Sequence, residues 1–118
     1  MTESKQKVDF SGLVTSLATS AVVVLGQIEG ILETGQAPDE SGAMKDLDDD
    51  EKTRRVDEGL AGGRHLIDTL VVLEEKTRGN LNEEEQELLG TAISELRIRH
   101  VTLSNRVARD RSAGGEDG

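Results

Sequence analysis

Cysteine, tryptophan and tyrosine are absent from this chain, and it holds a single phenylalanine and a single proline. Without cysteine no disulfide can staple the fold, and no thiolate is available as a zinc ligand or nucleophile. Aromatic side chains bury the most area each, so a core built without them is aliphatic and thin. Only 34% of the 118 residues are hydrophobic. A chain of this length is one domain, and small domains with thin cores commonly gain stability by self-association. Basic charge is scarce as well. The 14 Lys and Arg face 24 Asp and Glu, a net charge of −10. That balance disfavours nucleic acid, whose phosphates need basic side chains, and it disfavours anionic membrane surfaces. The N-terminal MTESKQKVD shows no secretory pattern, and with the lack of cysteine the expected compartment is the cytoplasm.

What is present is helical periodicity. Residues 1–8 are polar and expected to form a flexible tail. From Phe10 to Ile28 the chain carries no charge. On a helical wheel Phe10, Leu13, Val14, Leu17, Ala18, Ala21, Val24, Leu25 and Ile28 fall in one arc, which predicts an amphipathic helix over about residues 10–29. A lipid-facing span has no need to segregate its residues in this way, so membrane crossing is disfavoured. The second face of this helix is Ser, Thr and Gly where a solvated face usually carries charge. Small hydroxylated residues permit close helix approach and can bond to their own backbone carbonyls. Thr15 and Thr19 therefore mark a candidate interaction surface. The plainer alternative is an exposed Ser/Thr strip with no partner.

Residues 30–54 read as an acidic, Gly-rich linker broken by Gly30, Gly35, Pro38 and Gly42. Asp46, Asp48 and Asp50 resemble the start of a calcium loop. The turn glycine is replaced by Glu51, however, and the twelfth position is Asp57. The acids are better explained by the positive N-terminal end of a following helix. That second helix is predicted over about residues 55–78, with Val56, Leu60, Leu66, Ile67, Leu70, Val71 and Leu73 on one arc. Gly59, Gly62 and Gly63 leave its start open: either it begins near Arg64, or the glycines sit where another backbone comes close. Gly79 suits the left-handed position that ends it. Asn82, with Glu85 three residues on, predicts a capping box for a third helix over about residues 83–110. Its apolar arc is Leu88, Leu89, Ala92, Ile93, Leu96, Leu103 and Val107, while Ile98 and Val101 point to the other side. Residues 112–118, SAGGEDG, are expected to be a disordered tail.

Three segments together resemble the bacterial domain of unknown function 1844 family. They are VDFSGLVTSLATSAVVVLG, IDTLVVLEEKTRGNL and EEEQELLGTAISELRIRHV, in the family's order, with EKTRGNL the most specific part. Gly62 and Gly63 and a longer linker depart from the family's pattern. The resemblance implies a small helical bacterial protein and no particular activity.

No constellation in the sequence carries recognisable chemistry, and the expectation is a protein that is not an enzyme and needs no cofactor or metal. His65 and His100 lack paired spacing, and Glu83 to Glu87 lack the Glu-x-x-His pattern of carboxylate-bridged metal bundles. No nucleophile elbow or phosphate loop occurs. Three surfaces remain as candidates. Thr15 and Thr19 with Ile98 and Val101 form a hypothesised interaction surface. Lys76 and Arg78 form a charged turn, for which helix ending and restarting is the favoured reading. Arg97, Arg99, Arg106 and Arg109 form a basic patch able to grip an acidic partner or the chain's own acidic linker. The expected fold is all-α: three helices, the second and third joined as an antiparallel hairpin by a tight turn. The expected state is a homo-oligomer, most simply a dimer, acting through an unidentified protein partner. The alternatives are a nucleic-acid regulator using the Arg-rich helix and an enzyme whose site assembles between copies.

Overall fold

The computed structural model describes residues 9–117 and is all-α apart from one small hairpin. The first helix, α1, spans Phe10–Thr34. Asp9 caps it, its carboxylate accepting from the Gly12 N–H at 2.8 Å. α1 runs past the expected end near residue 29, through Gly30. One helical glycine costs about 1 kcal/mol, and burying Ile31 on the next turn offsets it. Gly35, at φ 73°, then stops the helix and donates its N–H to Ile31 O at 2.8 Å.

Regular elements occupy most of the expected linker over residues 30–54. Strand β1, Gln36–Pro38, pairs antiparallel with β2, Met44–Asp46, in the register Gln36 to Asp46. Asp39 closes the loop: its carboxylate accepts from Ser41 Oγ at 2.6 Å, Ser41 N–H at 2.8 Å and Ala43 N–H at 3.1 Å. Gly42 takes the positive φ of 91° that the turn needs. Ala37 is buried beneath the hairpin against α1. The residues read as breakers are thus turn and edge residues, and strands of three residues are too short for alternation to register.

α2 spans Asp49–Lys76 and begins six residues before the expected start at 55. Asp48 is its cap, accepting from the Glu51 N–H at 2.8 Å. Asp49, Asp50 and Glu51 occupy its first turn, where the helix dipole favours anions. The three glycines lie inside the helix, and two of them are points of close approach. A Cβ on Gly59 would stand 2.8 Å from Ile28 Cγ1, and one on Gly63 would stand 2.9 Å from Leu25 Cδ2. Helix α1 therefore packs where α2 has no side chains to hold it off. α2 ends at Lys76, two residues short of expectation, with Thr77 donating both its N–H and its hydroxyl to Leu73 O. Gly79, at φ 86°, turns the chain.

α3 spans Glu83–Asp117. Asn82 and Glu85 form the expected capping box: Asn82 Oδ1 accepts from Glu85 N–H at 2.8 Å, and Asn82 N–H donates to Glu85 Oε1 at 3.0 Å. The segment from Ser112, expected to be a tail, falls within the bounds of this helix as far as Asp117. The tail expected at residues 1–8 lies outside the described residues.

Close contacts fix the directions. Ile28 meets Gly59 and Leu25 meets Gly63, so α1 and α2 are antiparallel. Glu29 meets Arg99 and Glu33 meets Arg106, so α3 runs parallel to α1. The core is one aliphatic cluster that includes Val14, Leu25, Ile28, Ile67, Leu70 and Leu89. The molecule is long, with extents of 58 × 32 × 17 Å. Its radius of gyration is 17.6 Å, against about 13 Å for a compact chain of similar length.

Candidate interaction surfaces

The buried side of α1 comprises Val14, Ala21, Leu25, Ile28 and Ile31. Its outward side, from Gly12 to Gln27, contains no charged residue. Thr15 and Thr19 are exposed there, as expected from the sequence, together with Ser16 and Ser20. Val22 and Val23 are on the same side, 42% and 52% exposed. Leu13, which the wheel assigned to the apolar arc, is also exposed. It lies on the same line as Ile31, but the hairpin covers only the C-terminal end of that line.

Ile98 and Val101 are 68% and 55% exposed. The α3 side that faces the other helices carries Leu89, Ile93, Leu96, Leu103 and Val107, all buried. The structure thus leaves the Thr15/Thr19 strip and the Ile98/Val101 pair bare in a single chain, on two different helices. Sequence reasoning singled out these two residues of α3 but missed their neighbours. Thr91, Ser94, Asn105 and Ala108 are exposed too and continue the same line at steps of three and four. That spacing was visible in the sequence, hidden by the polarity of its members.

The basic patch does not hold together. Arg99 binds Glu29 of α1 through two nitrogens, at 2.8 and 3.4 Å. Arg106 lies 3.9 Å from Glu33, and Arg111 pairs with Asp57 of α2 at 2.9 Å. These pairs are at the surface, each worth no more than about 1 kcal/mol, and they pin α3 to its neighbours. Arg97 and Arg109 remain exposed. The acids that receive arginine are on α1 and α2, not on the hairpin. Lys76 and Arg78 are exposed beside the α2–α3 turn, where Thr77 and Gly79 do the structural work.

His100 is half-buried, and its Nε2 lies 2.9 Å from the Leu60 carbonyl. With a carbonyl as acceptor the ring must donate from that nitrogen, so His100 ties α3 to α2. His65 is exposed. Among the described residues no group of three or more His, Cys, Asp or Glu could hold a metal, and no polar or charged residue is buried. Two carboxylates titrate low. Hydrogen bonds from the Ser41 hydroxyl and backbone hold Asp39 below the usual carboxylate range. The Arg55 side chain does the same for Glu51. A groove of about 710 Å³ opens between α1, the hairpin and α2, with Ile28, Ile31, Pro38 and Gly59 in its wall and Arg54, Arg55 and Glu58 at its rim. Its arginines are committed to Glu51 and Glu58.

By length and composition α1 is also the one helix among the described residues able to cross a membrane, with a mean hydropathy of 1.6 over its most apolar window. Only 22% of that window is buried. The sequence model of a family described as a domain of unknown function (DUF1844) matches residues 7–102. No curated protein and no solved structure matches the chain significantly.

Proposed function

The chain belongs to this family of unknown function, and we propose that it works by protein–protein contact, self-associating most simply as a twofold dimer. One observation carries the reading. The outward side of α1 has no charged residue over sixteen positions, Gly12 to Gln27, in a chain of which 32% is charged. Water-facing helix surfaces normally carry Lys and Glu. A strip of Ser, Thr, Gly and Val instead suits close packing against another helix, where small side chains let backbones approach. The thin aliphatic core gives a second reason, since a small domain without disulfide or metal gains most from burying more surface. Lipid fits this side less well than protein does. Leu25, Ile28 and Ile31 of α1 turn inward, and although Leu13, Val22 and Val23 are exposed, the outward side also presents the hydroxyls of Thr15, Ser16, Thr19 and Ser20, which a bilayer would leave without water.

Nucleic acid is the weaker alternative. Arg99, Arg106 and Arg111 are engaged by Glu29, Glu33 and Asp57, and no aromatic accompanies Arg97 and Arg109 to stack on bases. A low-salt gel-shift titration is expected to show no retardation.

Cross-linking in native cells followed by mass spectrometry tests the main reading. The expected products join α1 or α3 to protein, copies of this chain included. Products confined to single copies of the chain, across cross-linkers of different reach, contradict it.

A further inference from the structure

α3 carries a second seam on the side turned away from the core. Thr91, Ser94, Ile98, Val101, Asn105 and Ala108 are all exposed and recur at alternating steps of three and four. That is the repeat by which two helices pack along a shared line. None of the six is charged, and the most apolar pair, Ile98 and Val101, sits at the centre. The charges along the helix are segregated about that centre. Glu83, Glu84, Glu85, Glu87 and Glu95 precede it with no basic residue among them. Five arginines lie from residue 97 onward, opposed within their own stretch by Asp110 alone, and of these Arg97 and Arg109 are not paired with Glu29, Glu33 or Asp57.

This segregation chooses the occupant and its direction. A parallel copy would lay acid beside acid and arginine beside arginine, and like charges at such a seam oppose pairing. An antiparallel copy lays the acidic start of each helix along the basic end of the other. We propose that α3 pairs with α3 of a second copy, antiparallel, about a twofold axis midway between Ile98 and Val101. Ile98 of each copy then packs on Val101 of the other. Ser94 faces Asn105, a polar pair that fixes the register. Thr91 faces Ala108, and Glu87, which faces Ser112, comes within one helical turn of Arg109. The surface is self-complementary, as a twofold contact requires. The proposal rests on the self-association reading and places the twofold contact on α3, apart from the uncharged strip of α1. With one Ile–Val layer on each side of the axis, the contact belongs to the small, reversible class of interfaces.

The absence of cysteine makes the test direct. Ser94 and Asn105 are about 16 Å apart along one helix, too far for a disulfide within one chain. Oxidation of the purified Ser94→Cys/Asn105→Cys chain is expected to give a covalent dimer. Ser94→Cys alone and Asn105→Cys alone are expected to give no covalent dimer on oxidation. Both positions are exposed, and circular dichroism verifies the helix content of each variant. Charge exchange gives an independent reading: Glu87→Arg and Arg109→Glu each weaken the dimer in light scattering, and the two together restore it. Covalent dimers from both single variants would mean parallel helices and overturn the proposal. A dimer in light scattering that the double variant fails to lock would place the contact elsewhere, overturning the proposal while leaving self-association intact. A monomer at every concentration would remove both.

Discussion

Replacing Gly62 by alanine is expected to stabilise the protein, while the same change at Gly59 or Gly63 is expected to weaken it. All three glycines lie within α2. In each case alanine lowers the conformational cost of the helix by about 1 kcal/mol. The difference lies in what a methyl group would meet. At Gly62 there is nothing within 4 Å, so the helical gain is realised in full. At Gly59 the new Cβ would stand 2.8 Å from Cγ1 and 2.9 Å from Cδ1 of Ile28. Ile28 is in the core at 1% exposure, and its side chain must shift to admit the methyl group. Overpacking of this kind costs about 1–3 kcal/mol, so the net effect at Gly59 is a loss of up to about 2 kcal/mol. At Gly63 the contact is with Leu25 Cδ2 at 2.9 Å, the end of a side chain but a fully buried one, and the expected loss is smaller. Urea unfolding followed by far-ultraviolet circular dichroism reads the three midpoints. All must be measured at one protein concentration, because self-association would raise apparent stability. In thermal unfolding each kcal/mol corresponds to about 4 °C. Equal stabilisation by all three alanines would refute the reasoning, because it would mean that α1 does not approach α2 at Gly59 and Gly63.

Three further outcomes follow from local geometry. Asp48→Ala removes the α2 cap and leaves the Glu51 N–H without its acceptor, a loss of about 1 kcal/mol in the same unfolding assay. Arg99→Ala and Glu29→Ala, combined in a double-mutant cycle, should show a coupling of about 0.5–1 kcal/mol that shrinks in high salt, because both side chains are about one-third exposed. Asp39 supplies the pH dependence. Its carboxyl titrates lower in the folded hairpin than in the unfolded chain, so its contribution is complete above the ordinary aspartate range and is lost as pH falls through the lowered value. In an NMR acid titration the Ser41 and Ala43 amides are expected to move together with the Asp39 carboxyl, and in Asp39→Asn that transition disappears.

The helices were legible because their signals are local and repeated. The arc of Val14, Ala21, Leu25 and Ile28 fixed the buried side of α1, and the Asn82–Glu85 box fixed the start of α3 within one residue. Boundaries went wrong where the deciding contact is distant in sequence. Gly59 and Gly63 look like helix breakers until Ile28 and Leu25 are seen lying over them. Nothing near Gly30 shows that burying Ile31 will carry α1 past it. The hairpin escaped because its evidence is one Asx turn at Asp39 and a buried Ala37, too little for any periodicity. Of the candidate surfaces, the exposure of Thr15, Thr19, Ile98 and Val101 was readable from their place on the helical wheel. The dispersal of the arginine patch was not, since it depends on Glu29 and Glu33 of α1 and Asp57 of α2 reaching Arg99, Arg106 and Arg111.

Light scattering on a dilution series of the intact chain, from hundreds of micromolar downward, most directly tests whether the uncharged outer faces are covered by protein. The expected mass approaches twice 12.7 kDa at the top of the series and falls on dilution. A constant 12.7 kDa throughout would contradict it.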